Sequence, residues 1–354
     1  MEPLHFPVPP RKILIIKPSA IGDVVHALPV LNLVRRKWHE AHIAWVITPG
    51  CAGLIENHPM VDEVIRFDRR LFAAGWRNRG AARGLRHLMR DLNRRQFDLV
   101  IDLQGLFRSA WMAWRSGAPV RIGFANAREF APLFYTHRIE SSWENDHAIE
   151  RYLKMAAALG CGSEPVEFPF AISDEDRRWV DEQIPPGSRY AVMLPGTNWL
   201  TKRWPAEKFA DLVEPLRRRF GLDTVVAGGP GDAEMAAKIP ADYNLVGKTN
   251  LRTILALLER ADLVIANDSG PMHMAAALGR PLVALYGPTC PIRTGPFRRL
   301  DSVVRLDIPC GPCFSRTCSH QSCLQHLGIE PVLRLAERQM NAADKLVALT
   351  IAGR

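Results

Sequence analysis

Asp262-Leu263-Val264-Ile265-Ala266-Asn267-Asp268-Ser269-Gly270-Pro271-Met272-His273-Met274-Ala275-Ala276-Ala277-Leu278-Gly279-Arg280-Pro281-Leu282-Val283-Ala284-Leu285-Tyr286 passes from an apolar run through a polar turn into helix formers and out into a second apolar run. Apolar runs without alternation suit strands buried on both faces, as in a parallel sheet. Pro271 fits the first helical position and Gly279 the position just past the end, so both helix boundaries are signed. A strand, a helix and a second strand in that order form one crossover unit of a sheet covered by helices.

The same alternation extends along most of the chain. In the first half the strand-like runs are Lys12–Ile16, Ile43–Ile47, Asp98–Asp102 and Val120–Phe124; in the second they are Tyr190–Leu194, Thr224–Ala227, Leu263–Ala266 and Leu282–Tyr286. Between the sets lies a strandless stretch with Pro165, Pro169, Pro185, Pro186 and Gly187, which reads as a connection. The 354 residues therefore divide into two doubly wound α/β domains, 1–170 and 171–330. Leu333, Ala336, Met340, Ala343, Leu346, Val347 and Ile351 follow helical spacing, so 331–354 is expected to form a terminal helix packing back toward the N-terminal domain. Ligands of such sheets bind beyond the carboxyl ends of the strands, and two facing sheets would place a cleft between domains.

With 47% hydrophobic and 23% charged residues the chain is neither disordered nor fibrous. No apolar run approaches the roughly 18 residues of a membrane span. The first ten residues hold an acid and four prolines where a signal peptide would have a basic end and an apolar core, so a cytoplasmic location is expected. Seven cysteines, an odd number with four crowded into 310–323, are no secreted disulfide framework. The net charge of +9 is concentrated: between Arg66 and Arg95 ten arginines face only Asp68 and Asp91. One face therefore meets something anionic, which composition leaves open among nucleic acid, a lipid surface and an acidic small molecule.

Three strand-to-helix junctions carry candidate chemistry. After Lys12–Ile16 come Lys17-Pro18-Ser19-Ala20-Ile21-Gly22-Asp23, with Asp23 in the first helical turn. A carboxylate there either complements the helix dipole or, at the strand's carboxyl edge, acts as a general base. The turn lacks the Gly-x-Gly-x-x-Gly spacing of dinucleotide folds, which argues against a dehydrogenase. After Tyr190–Leu194, Pro195-Gly196-Thr197-Asn198-Trp199-Leu200-Thr201-Lys202-Arg203 offers hydroxyls, a glycine and adjacent cations suited to a phosphate; otherwise it is a polar loop with solvated cations. In the opening stretch, the free amides around Ser269 to Met272 make an anion site, and Asp268 would lie near a sugar hydroxyl of a bound diphosphate.

Other features have plainer readings. Asp174-Glu175-Asp176 has the spacing of a metal–diphosphate motif, but Ser173 makes a capping box with Asp176, which marks a helix start. Gly228-Gly229-Pro230-Gly231-Asp232 is a flexible turn that could pass close to a nucleotide. Leu85, Leu88, Met89 and Leu92 share a helical face, with arginines opposite on a solvated one. Cys310, Cys313, Cys318 and Cys323 are enough thiols for a structural zinc site, yet reduced cytosolic thiols need no partner.

Taken together, the chain resembles the ADP-heptose:lipopolysaccharide heptosyltransferases of glycosyltransferase family 9. The resemblance rests on Lys17 to Pro29, Phe97 to Leu106, Ala127-Arg128-Glu129, His147-Ala148-Ile149-Glu150-Arg151, Lys202-Arg203-Trp204-Pro205 and Asn267 to His273. It implies a GT-B architecture, with the acceptor on the N-terminal Rossmann-like domain and the nucleotide sugar on the C-terminal one. It implies inversion at the anomeric carbon without an essential metal, and calls for no cofactor. Carried over, Asp23 is the catalytic base and Lys202 the cation at the leaving diphosphate. Thr197, Asn198, Asp268, Ser269, Gly270, Pro271 and His273 line the donor. Relatives often have a hydroxyl residue where Asn198 stands. On the acceptor side the resemblance and the charge excess together name Ser19, Gly22, Arg66, Arg69, Arg70, Gln104 and Arg128.

The expected partners are ADP-heptose or another nucleotide sugar, and an anionic lipid A–core acceptor at the inner face of the inner membrane. None of these contacts reads the base, so another nucleotide sugar stays open. A non-catalytic nucleotide- or nucleic-acid-binding protein is the alternative of a different class. Few aromatics (Phe67, Phe72, Trp76) accompany the arginines, which provides poorly for base stacking, and no nucleic-acid partner is expected.

Overall fold

A computed structural model describes residues 3–74 and 78–352, with side chains for all of these except positions 71, 73 and 344–352. Trp76 and Arg77 lie outside the described residues. The chain divides into two compact units, Met1–Ala171 and Ile172–Arg354.

Each unit is built on a six-stranded parallel sheet. In the first, β1 (Lys12–Ile16), β2 (His42–Ile47), β3 (Glu63–Arg66), β4 (Leu99–Asp102), β5 (Val120–Phe124) and β6 (His137–Ile139) stand in the order β3-β2-β1-β4-β5-β6. In the second, β7 (Tyr190–Leu194), β8 (Asp223–Val226), β9 (Tyr243–Asn244), β10 (Leu263–Asn267), β11 (Leu282–Tyr286) and β12 (Val303–Arg305) stand in the order β12-β11-β10-β7-β8-β9. The strand order reverses beside β1 in one sheet and beside β7 in the other, the place where open sheets of this kind part their loops and bind ligands.

The expected eight strands all form, and four more join them. Those four, β3, β6, β9 and β12, are the two edges of each sheet. They run to four, three, two and three residues, and none is buried throughout. By contrast β4, β7, β10 and β11 are buried at every position.

The helix Arg79–Arg94 keeps the predicted two faces. Met89 and Leu92 are buried, Leu85 and Leu88 pack against them, and Arg83, Arg86, Arg90 and Arg94 are exposed. Phe67 is buried in the same core, and the half-buried Phe72 packs on it edge-on at 5.6 Å. The terminal helix Ile329–Ala352 packs on the helix Ala206–Phe220, β11 and β12, and places Val332, Leu333, Leu335 and Ala336 in the core of the second unit. Its expected return toward the N-terminal half falls on side chains beyond 343, outside the described residues. Among the described residues no helix is long and apolar enough to cross a membrane.

Candidate active site

In the first unit the turn after β1 is pinned from β2. Trp45 Nε1 donates to the Lys17 carbonyl at 3.1 Å, and the Thr48 amide and hydroxyl donate to the Pro18 carbonyl at 3.0 and 2.9 Å. The helix Ile21–Lys37 then begins, and Asp23 Oδ2 accepts from the Ala20 amide at 3.1 Å. The Asp23 side chain caps the helix start through one oxygen, and with 44% of its surface exposed it still faces solvent.

Behind Asp23 stands a residue that sequence reasoning passed over. Lys17 is 3% exposed, 3.8 Å from Asp23 Oδ2, and donates to the Leu103 carbonyl at 3.4 Å. Burial pushes the Lys17 ammonium down, but Asp23, Tyr152 and Asp102 outweigh it and hold it above the ordinary lysine range. The signal was a lysine directly after the buried apolar run Ile13-Leu14-Ile15-Ile16, where a cation that stays buried needs a charged partner.

Beside β1, β4 ends in a tight turn. Asp102, fully buried, accepts from the amides of Gln104 and Gly105 at 2.9 and 3.1 Å and from the Tyr135 hydroxyl at 2.7 Å. Burial pushes the Asp102 carboxyl up, against these donors and Ser109, which draw it down. Tyr135 reaches it by lying flat on Gly123 of β5, where a Cβ would come within 2.2 Å of the ring. The turn holds Gln104 at the sheet edge with its Oε1 buried and lacking a hydrogen-bond partner among the described residues.

The other acceptor-side residues are dispersed. Ser19, in the β1 turn, and Gly22, in the first turn of the following helix, are half-buried. Arg66 ends β3 in an ion pair with Glu56 at 2.5 Å. Arg69 and Arg70 head the helix Arg69–Ala74, both exposed. Arg128 is exposed, its guanidinium 5.8 Å from the Trp143 ring, and its amide donates to the Gly105 carbonyl at 3.2 Å.

In the second unit the turns after β7 and β10 are tied to each other. Asn267 donates to the Pro195 carbonyl at 2.7 Å and accepts from the Trp204 amide at 3.2 Å. Arg203 braces the loop by donating to the Thr197 carbonyl at 2.9 Å, and Thr197 Oγ1 donates to the Trp199 carbonyl at 2.6 Å. Asn198 is exposed. Gly196 lets the turn after β8 approach: a Cβ there would lie 2.2 Å from Asp232. Asp232 accepts from the Gly229 amide at 3.0 Å, so this turn supports the loop from below.

These ties bring Lys202 Nζ to 2.6 Å from Asp268 Oδ2, with the two side chains 17% and 6% exposed. Thr289, 3% exposed, donates to the same oxygen at 2.6 Å. Thr289 too was missed in the sequence: Gly287-Pro288-Thr289 after β11 matches no motif. Next to Asp268, Ser269 precedes the helix Gly270–Ala277, with Pro271 in its first turn. Ser269 Oγ is buried, makes no cap bond and has no partner among the described residues. His273 is 8% exposed within that helix. The helix start therefore presents free amides and a spare hydroxyl beside an ammonium, a cradle for an anion.

Asp174-Glu175-Asp176 keeps its plainer reading. Asp176 Oδ2 accepts from the Ser173 amide and hydroxyl at 3.0 and 2.6 Å and pairs with Arg252 at 2.9 Å, an occupied helix cap. The seven cysteines are free thiols, Cys310 and Cys313 exposed, Cys318 and Cys323 half-buried. Among the described residues no three His, Cys, Asp or Glu side chains come together as a metal site.

The chain matches glycosyltransferase family 9 (heptosyltransferase) over residues 85–324. It is 31% identical over 322 residues to lipopolysaccharide heptosyltransferase 1 of Pseudomonas aeruginosa, covering 88% of each chain. The structure of ADP-heptose LPS heptosyltransferase II of Escherichia coli superposes with a TM-score of 0.75 at 25% identity, over 94% of this chain and 99% of that one. Heptosyltransferase WaaC of Escherichia coli, solved with ADP-2-deoxy-2-fluoro heptose, gives 0.68 at 28% identity over 79% and 90%.

Proposed function

The chain belongs to glycosyltransferase family 9, and from that premise we propose that it transfers heptose from ADP-heptose to the inner core of lipopolysaccharide, with inversion. The acceptor is an anionic Kdo- or heptose-bearing glycolipid, so the enzyme works peripherally at the cytoplasmic face of the inner membrane. The observation that carries the donor half is the Lys202–Asp268 pair at 2.6 Å beside the spare Ser269 hydroxyl. A cation held by a buried carboxylate at a helix start is suited to a diphosphate, whose charge grows as it departs.

In this reading Asp23 takes the proton of the acceptor hydroxyl as that oxygen bonds to the anomeric carbon. The bond from this carbon to the β-phosphate oxygen breaks on the opposite face, and ADP leaves with the electron pair. Lys202 and the amides from Gly270 onward neutralise the leaving charge, with Thr197, Asn198 and His273 lining the same side. Asp268 accepts a hydroxyl of the donor sugar. Lys17 keeps a fixed positive charge beside Asp23, and Ser19, Gly22, Gln104, Arg66, Arg69, Arg70 and Arg128 receive the acidic acceptor.

The test is mass spectrometry of a Kdo-bearing acceptor incubated with ADP-heptose or with UDP-sugars, with and without chelator. Addition of one heptose from ADP-heptose, unaffected by chelator, is expected. Transfer only from a UDP-sugar would replace the donor assignment, chelator-sensitive transfer would contradict the metal-free mechanism, and no transfer from any donor would contradict the function.

A further inference from the structure

The first unit carries an exposed aromatic face that the proposed chemistry leaves unused. Phe107 and Trp114, seven residues apart on the helix Phe107–Arg115, project from one side of it and are 43% and 47% exposed. Both rings meet Phe134 edge-on, at 5.6 and 6.1 Å. Phe134 closes the short 3-10 turn Ala131–Phe134, whose flank presents Phe130 at 79% and Leu133 at 71% exposure. Four large apolar side chains are thus left in water on two elements packed against each other, a concentration that marks an interaction site rather than scattered surface residues.

The rim of this face is basic. Arg90, Asn93, Arg94, Trp114 and Arg115 line a groove of about 440 Å³, and the Arg115 guanidinium lies 5.6 Å from the Trp114 ring. Among the described residues none of Arg90, Arg94 and Arg115 has a carboxylate within ion-pair distance, whereas Arg95 nearby is paired with both Glu63 and Asp91. Glu129 engages the face through its carboxylate, which accepts from the Phe107 amide at 3.1 Å. Aromatic and aliphatic tips beside unpaired arginines fit a surface that is apolar within and negative at its boundary. A second copy of the chain would set these arginines against each other.

We propose that this face, Phe107, Trp114, Phe130 and Leu133 with Arg90, Arg94 and Arg115, docks on an anionic lipid bilayer. The inference deepens the proposed action on a glycolipid by naming the surface that meets the membrane. The face continues directly from the acceptor side: Gln104-Gly105-Leu106 runs into the Phe107 helix, and Arg128 donates to the Gly105 carbonyl two residues before Phe130. Docked this way, the enzyme would meet its acceptor without extracting the lipid anchor.

The experiment is flotation of the full chain with phosphatidylglycerol-containing vesicles and with pure phosphatidylcholine vesicles, with no donor or acceptor present. Binding to the anionic vesicles alone, weakened by salt, is expected. Phe130→Asp/Leu133→Asp and, separately, Arg90→Gln/Arg94→Gln/Arg115→Gln should each cut the bound partition coefficient by at least about tenfold. Both variants should keep the wild-type melting temperature and the wild-type rate on a short lipid-free acceptor. Absence of vesicle binding by the wild type, undiminished binding by both variants, or a dimer that Phe130→Asp/Leu133→Asp dissociates would each overturn the proposal. Because vesicle binding is read without substrates, an enzyme that floats yet transfers no sugar would refute the proposed function and leave the docking surface standing.

Discussion

Thr289→Val removes one donor from Asp268 at nearly constant volume. The Thr289 hydroxyl lies 2.6 Å from Asp268 Oδ2, and the two residues are 3% and 6% exposed, so no water replaces the lost bond freely. A hydrogen bond to a charged group is worth about 1.5–3 kcal/mol. If it serves to aim the carboxylate at the donor sugar, donor affinity falls by about ten- to a hundredfold, at 1.4 kcal/mol per factor of ten. Lys202 still holds the same oxygen at 2.6 Å, so the contact proposed for it with the diphosphate should stay in place. Calorimetric titration with ADP-heptose and with ADP separates the two: the sugar nucleotide should bind more weakly while ADP binds within about twofold of wild type, and Thr289→Ser, which keeps the hydroxyl, should bind ADP-heptose as the wild type does. Equal weakening of ADP and ADP-heptose, or no change in either, would refute the role of Thr289 as a positioning residue for sugar recognition.

Lys202→Ala should weaken ADP binding by at least about tenfold and lower the melting temperature, because it strips the ammonium from a carboxylate that stays buried; calorimetry and thermal unfolding read the two effects. Arg69→Gln with Arg70→Gln should raise the acceptor KM and leave ADP-heptose affinity unchanged in steady-state kinetics. The Asp176 carboxyl is pushed up by burial, but Ser173 and Arg252 outweigh this and keep it below the ordinary aspartate value of 3.8. A depressed carboxyl stabilises the fold above the unfolded-state value, and that stability is lost as pH falls through the folded one. Arg252→Met should therefore lower stability at neutral pH and flatten its loss in acid, as followed by urea unfolding between pH 6 and about 3.

The interior of each sheet was legible because continuous apolar runs such as Leu263–Ala266 and Leu282–Tyr286 can be satisfied only by burial on both faces. The edges were not. Glu63–Arg66, His137–Ile139, Tyr243–Asn244 and Val303–Arg305 are short and only partly buried, so a polar or charged residue costs them little and no apolar run marks them. Asp23, Lys202, Asp268 and Ser269 could be nominated as candidates because they stand in the strand-to-helix segments after β1, β7 and β10, among residue types that cap helices or hold anions. Lys17 and Thr289 also follow legible strands, β1 and β11, but their meaning lies in partners 6 and 21 residues away, at Asp23 and Asp268. Spacing within one segment carries no trace of such pairings. The arginine excess was visible in composition, yet only the folded chain separates Arg66 and Arg95, already paired with acids, from Arg90, Arg94 and Arg115.

The claim that Asp23 is the base of a heptosyl transfer is tested most directly by single-turnover measurement of Asp23→Asn with ADP-heptose and a Kdo-bearing acceptor. The amide keeps an oxygen that can accept from the Ala20 amide, so the helix start should survive. Loss of a general base predicts a rate lower by about a hundredfold to ten-thousandfold, with ADP-heptose affinity unchanged. A rate within about threefold of the wild type would contradict the assignment.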